Sequence, residues 1–197
     1  MKLLIVAALL CVVTSQMLGF GKDRLRVAYE HKRNSLTSED NGCPNTETRY
    51  NKDAVKDNFA PVDKQAKWEN EGQRFFVNRQ FWGGPGAPIF VFIGGEGEEA
   101  CGRLEEGNLY MYQLAREHNA MMIDVEHRFY GRSLPTTDVS TENLGLLTSD
   151  QALADLARVI NYVKKDMFNT PHSKVITTGG SYPGNLSGWF RLKYPSV

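Results

Sequence analysis

A serine set among glycines just after an apolar, β-type run is the part of this chain best suited to chemistry. Gly179-Gly180-Ser181-Tyr182-Pro183-Gly184 follows Val175-Ile176-Thr177-Thr178. A buried strand that turns sharply into a helix lifts a serine hydroxyl clear of the sheet, where it can attack a carbonyl. Gly179, Gly180 and Gly184 leave the room that such a turn demands. The G-x-S-x-G template places glycine two residues after the serine, whereas this chain has Pro183. Proline suits the first turn of a helix, where its missing N–H costs nothing. The competing reading is a plain Gly-Ser helix entry that cradles a phosphate.

Acyl transfer also needs donors aimed at the developing oxyanion. One is the backbone N–H of the residue after the nucleophile, here Tyr182. The other comes from the loop after an earlier strand, here Gly94-Gly95-Glu96-Gly97, with Gly95 or Glu96 supplying the amide. That loop has a second reading, because Gly95, Gly97 and Ala100 fit G-x-G-x-x-A and Asp124 stands where a ribose-binding acid would lie. Glu96, Glu98 and Glu99 oppose it, since three carboxylates would repel a pyrophosphate. His127 shares the sheet edge of Ser181 and is a candidate general base, set against a structural histidine bonded to a loop carbonyl. His118 and His172 fall at less suitable places. The sixteen residues after Ser181 hold no acid and no histidine.

These residues need a frame. Ile89-Phe90-Val91-Phe92-Ile93 and Met121-Met122-Ile123-Asp124-Val125 read as strands buried on both faces. Leu104 to His118 reads as a moderate helix. The clearest helix follows Thr148, which stands three residues before Gln151 at capping-box spacing. Leu153, Leu156, Ile160, Val163 and Met167 then form one apolar stripe. Arg74-Phe75-Phe76-Val77 and Gln80-Phe81-Trp82 suggest an antiparallel hairpin. Strands alternating with helices predict an α/β architecture with a mostly parallel sheet, its functional loops at the carboxyl ends of the strands.

The chain has 197 residues, 41% hydrophobic and 11% aromatic, enough for a core of ordinary size. Lys plus Arg and Asp plus Glu both count 23, and no basic run stands out, which argues against a nucleic-acid partner. Met1-Lys2, the apolar run Leu3 to Val13 and then Thr14-Ser15 read as a secretory signal peptide over 1–15, too short to span a bilayer. Residues 16–70 read as a polar extension and 71–197 as the folded domain. Without the leader the balance is 22 − 23 = −1, and Cys43 and Cys101 remain. An oxidising compartment permits a disulfide, and the spacing leaves their pairing open. They lack the CxxC pattern of a zinc site, so no metal is expected. The sequon Asn185-Leu186-Ser187 falls in a helix start read as buried and is expected to stay unmodified.

With these blocks in view the sequence resembles the amino-terminal portion of the family of lysosomal Pro-X carboxypeptidase, dipeptidyl peptidase II and thymus-specific serine protease. The resemblance runs from about Gln73 to Val197. It rests on Gln73-Arg74-Phe75-Phe76-Val77-Asn78, Ile93-Gly94-Gly95-Glu96-Gly97, Glu126-His127-Arg128-Phe129-Tyr130-Gly131-Arg132-Ser133, Leu147-Thr148-Ser149-Asp150-Gln151-Ala152-Leu153-Ala154-Asp155 and Gly179-Gly180-Ser181-Tyr182. It implies an α/β-hydrolase-type sheet with flanking helices, here ending after the elbow helix, and Ser181 as the catalytic serine. The implied activity is cleavage of peptides beside a proline near one terminus, in secreted or lysosomal settings, with no cofactor and no membrane partner. Family members continue to a cap and to the Asp and His of a triad. The chain as written is therefore expected to be nearly inactive alone, the alternative being a truncated secreted product without catalysis.

Overall fold

The computed structural model describes residues 42–51, residue 68 and residues 72–197. The expected leader and most of the expected extension lie outside the described residues. Among the described residues five strands form one sheet: β1 (Thr46–Asn51), β2 (Gln73–Asn78), β3 (Ile89–Ile93), β4 (Met121–Val125) and β5 (Val175–Thr178). Their spatial order is β1-β2-β4-β3-β5. β3 runs parallel to both β4 and β5, with Ile89 opposite Met121 and Val175. β2 is antiparallel to both β1 and β4. The expected α/β architecture of a sheet with flanking helices is present, as a mixed sheet whose parallel strands are the three that feed the site.

Alternation within β2, β3 and β4 divides the apolar residues between two cores. Phe75, Val77, Val91, Ile123 and Val125 face one side, against α2 (Ser149–Tyr162) and α3 (Tyr182–Lys193). Phe76, Phe90 and Met122 face the other, against α1 (Tyr110–His118) and the 3₁₀ turn Cys101–Leu104. Both faces are covered, so these strands carry continuous apolar runs.

α2 begins where the cap was expected, with the Gln151 N–H donating to Thr148 Oγ1 at 3.2 Å. Its last turn widens into a π turn over Val163–Met167. The helix expected from Leu104 starts only at Tyr110, because Glu105 leaves the preceding 3₁₀ turn in an extended conformation.

Three further differences are physical. The hairpin expected across Asn78-Arg79 does not form. β2 is buried along its whole length between β1 and β4, and Phe81 and Trp82 turn inward to pack beside Tyr112 and Phe168. A strand, β1, lies within the segment read as a polar extension, and it is fastened by a disulfide between Cys43 and Cys101. Asn185 is exposed on α3, not buried as expected, while its neighbour Leu186 fills the core.

Candidate active site

The end of β5 and the start of α3 make the turn that the glycines predict. Ser181 adopts φ 56° and ψ −129°, a conformation costly for a residue with a side chain, and it is exposed. Gly179 is there because nothing larger fits: a Cβ would lie 2.5 Å from the Pro183 carbonyl carbon and 2.6 Å from its oxygen. A Cβ on Gly184 would stand 3.1 Å from the Gly179 oxygen, whereas Gly180 has open space around it. Pro183 occupies the second helical position and is buried. It takes the glycine's place in the template without loss, since N–H groups in the first turn have no intrahelical acceptor.

Tyr182 is the first helical residue, so its N–H is likewise without an intrahelical acceptor. The loop after β3 comes up against this turn, and a Cβ on Gly95 would lie 2.7 Å from Pro183 Cγ. The loop after β3 and the start of α3 thus pack against each other beside Ser181.

Glu126, which the sequence reading did not single out, holds the second segment in place. Buried at the end of β4, it accepts from the Glu99 N–H at 3.1 Å, the Arg132 N–H at 3.0 Å and Ser133 Oγ at 2.7 Å. Arg74 Nη2 lies 2.6 Å from Glu126 Oε1 and also donates to the Glu99 carbonyl at 2.9 Å. Burial nevertheless raises the proton affinity of Glu126, with Arg74 opposing. Gly131, at φ 55°, packs against this carboxylate and leaves no room for a Cβ.

Beneath the same loop a second acidic pair, Asp124 and Glu99, faces Arg103. Asp124 is fully buried, 3.5 Å from the Arg103 guanidinium, and Arg103 also pairs with Glu99. Burial first, and then the neighbouring Glu99 charge, push the Asp124 carboxyl well above the usual carboxylate range. A ribose-binding acid must be reachable, and Asp124 is not.

His127 is buried with both ring nitrogens engaged: Nδ1 lies 2.8 Å from the Arg128 carbonyl oxygen and Nε2 3.1 Å from the Tyr182 hydroxyl. Burial is the main cause holding its proton affinity below the ordinary histidine range. The carbonyl bond opposes that effect, and the Arg128 charge adds to it. Arg128 turns away into a buried bidentate pair with Asp155, at 2.7 and 2.9 Å, and also binds Gln151 and the Leu146 carbonyl. This pair ties the loop after β4 to α2. The Glu126–Ser133 and Leu147–Asp155 blocks thus meet through side chains, and their recurrence in the resemblance was the only sequence signal for it.

Residues 54–197 match the family described as serine carboxypeptidase S28. The chain belongs to this family. It is 37% identical over 155 residues to human lysosomal Pro-X carboxypeptidase, covering 73% of this chain and 31% of that protein. It is 39% identical over 145 residues to prolyl carboxy peptidase like protein 5 of Caenorhabditis elegans, covering 70% of this chain and 28% of that protein. The chain therefore spans about a third of the length of these S28 relatives. Among solved structures, a hyperthermophilic esterase from Pyrobaculum calidifontis is similar over 90% of this chain and 49% of its own, at 18% identity and a TM-score of 0.45.

Proposed function

We propose that this S28 chain carries the nucleophile and both oxyanion donors of a serine peptidase that cleaves peptides beside a proline near one terminus. The observation that carries the reading is the backbone of Ser181, forced to positive φ at the carboxyl edge of the sheet and followed at once by a helix N-terminus. Ser181 Oγ attacks the scissile carbonyl carbon while a histidine takes its proton. The carbonyl oxygen becomes an oxyanion held by the Tyr182 N–H and by the Gly95 or Glu96 N–H. The carbon–nitrogen bond then breaks, the amine leaves with the proton, and water hydrolyses the acyl-enzyme.

His127 is not the proton acceptor in this scheme, because a base must reach the hydroxyl it deprotonates and both of its nitrogens are committed elsewhere. By the resemblance, the histidine is one that family members carry further along their sequences. The proline preference and a lysosomal setting are supported by what the human relative is called. The Cys43–Cys101 disulfide favours an oxidising compartment. Among the described residues no helix is long and apolar enough to cross a membrane.

A fluorophosphonate probe tests the reading on protein expressed from its complete coding region. The expected adduct is on Ser181, and it is absent, with peptide hydrolysis, in Ser181→Ala. Labelling of another residue, or proline-directed hydrolysis that survives Ser181→Ala, overturns it. Peptides with proline second from either end then show which terminus is trimmed.

A further inference from the structure

The turn at Ser181 is gripped from the side by a chain of side-chain hydrogen bonds that the scheme above does not use. His127 Nε2 lies 3.1 Å from the Tyr182 hydroxyl, which lies 3.3 Å from Ser149 Oγ at the start of α2. Directions follow from chemistry. A carbonyl oxygen can only accept, so the Nδ1 that faces the Arg128 carbonyl at 2.8 Å carries a proton. In the neutral ring Nε2 then offers only a lone pair, so the Tyr182 hydroxyl donates to it, and the phenol oxygen is left to accept from Ser149.

The neutral form is the one that this setting favours. The ring is buried and packs edge-on against Tyr130 at 5.4 Å. The charged or titratable groups around it are Arg128 and Tyr130 on its own loop, Glu96 from the loop after β3 and Tyr182 from α3. Next to it in sequence, Glu126 fixes the Glu99 end of that β3 loop. Both amide-bearing segments beside Ser181 are therefore referenced to one dipeptide at the end of β4, the β3 loop through Glu126 and the start of α3 through His127.

We propose that His127 is a positioning residue: as a neutral, Nδ1-protonated acceptor it holds Tyr182 by its hydroxyl and so fixes where the Tyr182 N–H points. The proposal rests on the reading of Ser181 as nucleophile and adds a role for a histidine that does not touch substrate. It assigns the pair His127–Tyr182 to the spacing of the oxyanion donors, with Ser149 completing the grip.

The test is saturable labelling by an alkyl fluorophosphonate on protein expressed from its complete coding region. In that reaction Ser181 Oγ bonds to phosphorus, fluoride leaves and the hydroxyl proton passes to the base. Tyr182→Phe keeps the ring and the backbone N–H and removes the hydroxyl's bonds to His127 and Ser149. His127→Phe keeps a ring and removes the acceptor. Each is expected to lower the limiting labelling rate about tenfold, below the loss from deleting a donor outright, and to leave half-saturation unchanged. The double variant is expected to lose no more than either single one, because both remove the same bond. His127→Gln, whose amide oxygen can accept the tyrosine proton, is expected to regain most of the rate. Nitrogen-15 NMR of the parent is expected to show His127 neutral and protonated on Nδ1 at pH values below the ordinary histidine range. Full-rate labelling in Tyr182→Phe, or a proton on Nε2, overturns the positioning role alone. A parent labelled no better than Ser181→Ala overturns the nucleophile reading, and this proposal with it.

Discussion

Asp124→Asn is expected to make the protein more stable at neutral pH while leaving it nearly unchanged in acid. The reasoning starts from the fully buried Asp124 carboxyl, which shares the base of the β3 loop with Glu99 and Arg103. Burial and the Glu99 charge raise its proton affinity well above that of an aspartate in water. The folded state therefore binds this proton more tightly than the unfolded chain does. The associated stabilisation is complete below the ordinary aspartate range and is lost as pH rises through the elevated folded value. Every tenfold difference in proton affinity between the two states is worth about 1.4 kcal/mol. At roughly 2–4 °C per kcal/mol for a chain of this size, that amounts to about 3–6 °C in Tm. Asparagine copies the shape of the protonated acid, can donate to Glu99, and does not ionise. Thermal unfolding of parent and variant from about pH 4.5 to about pH 7.5 brackets the expected window above the free aspartate value. The two curves should nearly coincide at the acid end and separate at the neutral end, with the variant higher. The raised proton affinity of Glu126 acts in the same direction but is common to both proteins, so it cancels in the difference. Parallel curves, or a variant that is less stable at neutral pH, would show that Asp124 is ionised and held by Arg103, and the burial argument would be wrong.

Other consequences of the geometry are open to similar measurement. Gly179→Ala forces a methyl onto the Pro183 backbone, 2.5 Å from its carbonyl carbon, whereas Gly180→Ala meets open space. The first should cost about 1–3 kcal/mol or more in thermal unfolding and remove labelling of Ser181, and the second should retain both. Gly95→Ala should likewise fail, because its methyl would sit 2.7 Å from Pro183 Cγ. Adding Pro183→Ala should recover folding and labelling, and a double variant no better than the single would refute the contact. The Cys43–Cys101 disulfide closes a segment with a sequence separation of 58. Chain entropy assigns about 4 kcal/mol to that closure, so reduction or Cys43→Ser should lower Tm by roughly 8–16 °C on the same scale.

Much of the frame was legible because local pattern and burial agree there. β3 and β4 are apolar on both faces, and the stripe of α2 starts behind a real cap at Thr148. The elbow was legible for the same reason: two glycines, a serine and a proline at the first turn make sense together only as a strand-to-helix bend. β1 was not legible, since Thr46–Asn51 is polar and only its end residues are buried. What makes it a strand is a six-residue register with β2 and a disulfide to a turn 58 positions away. The hairpin expectation failed because local alternation cannot see that β2 needs a partner on each side. The acids of the site were the hardest to place. Glu99 counted in the sequence as one of three loop carboxylates hostile to an anion. In the structure it is buried beside Asp124, and its backbone links to Glu126 and Arg74.

The departure at Pro183 shows how a site can break a template and keep its geometry. The template's glycine marks a position that lies against the neighbouring loop, and it records a shortage of space. Here the ring of Pro183 takes that space, and the loop supplies the vacancy at Gly95, where even a methyl group would collide with the ring. Proline brings a preset φ to the first turn of α3, and it gives up only an N–H that has no intrahelical acceptor. The same exchange leaves the Tyr182 N–H untouched, so the donor beside Ser181 survives the substitution. A motif search that scores Pro183 as a mismatch does not see the glycine that leaves room for its ring, 88 positions earlier, in the loop after another strand.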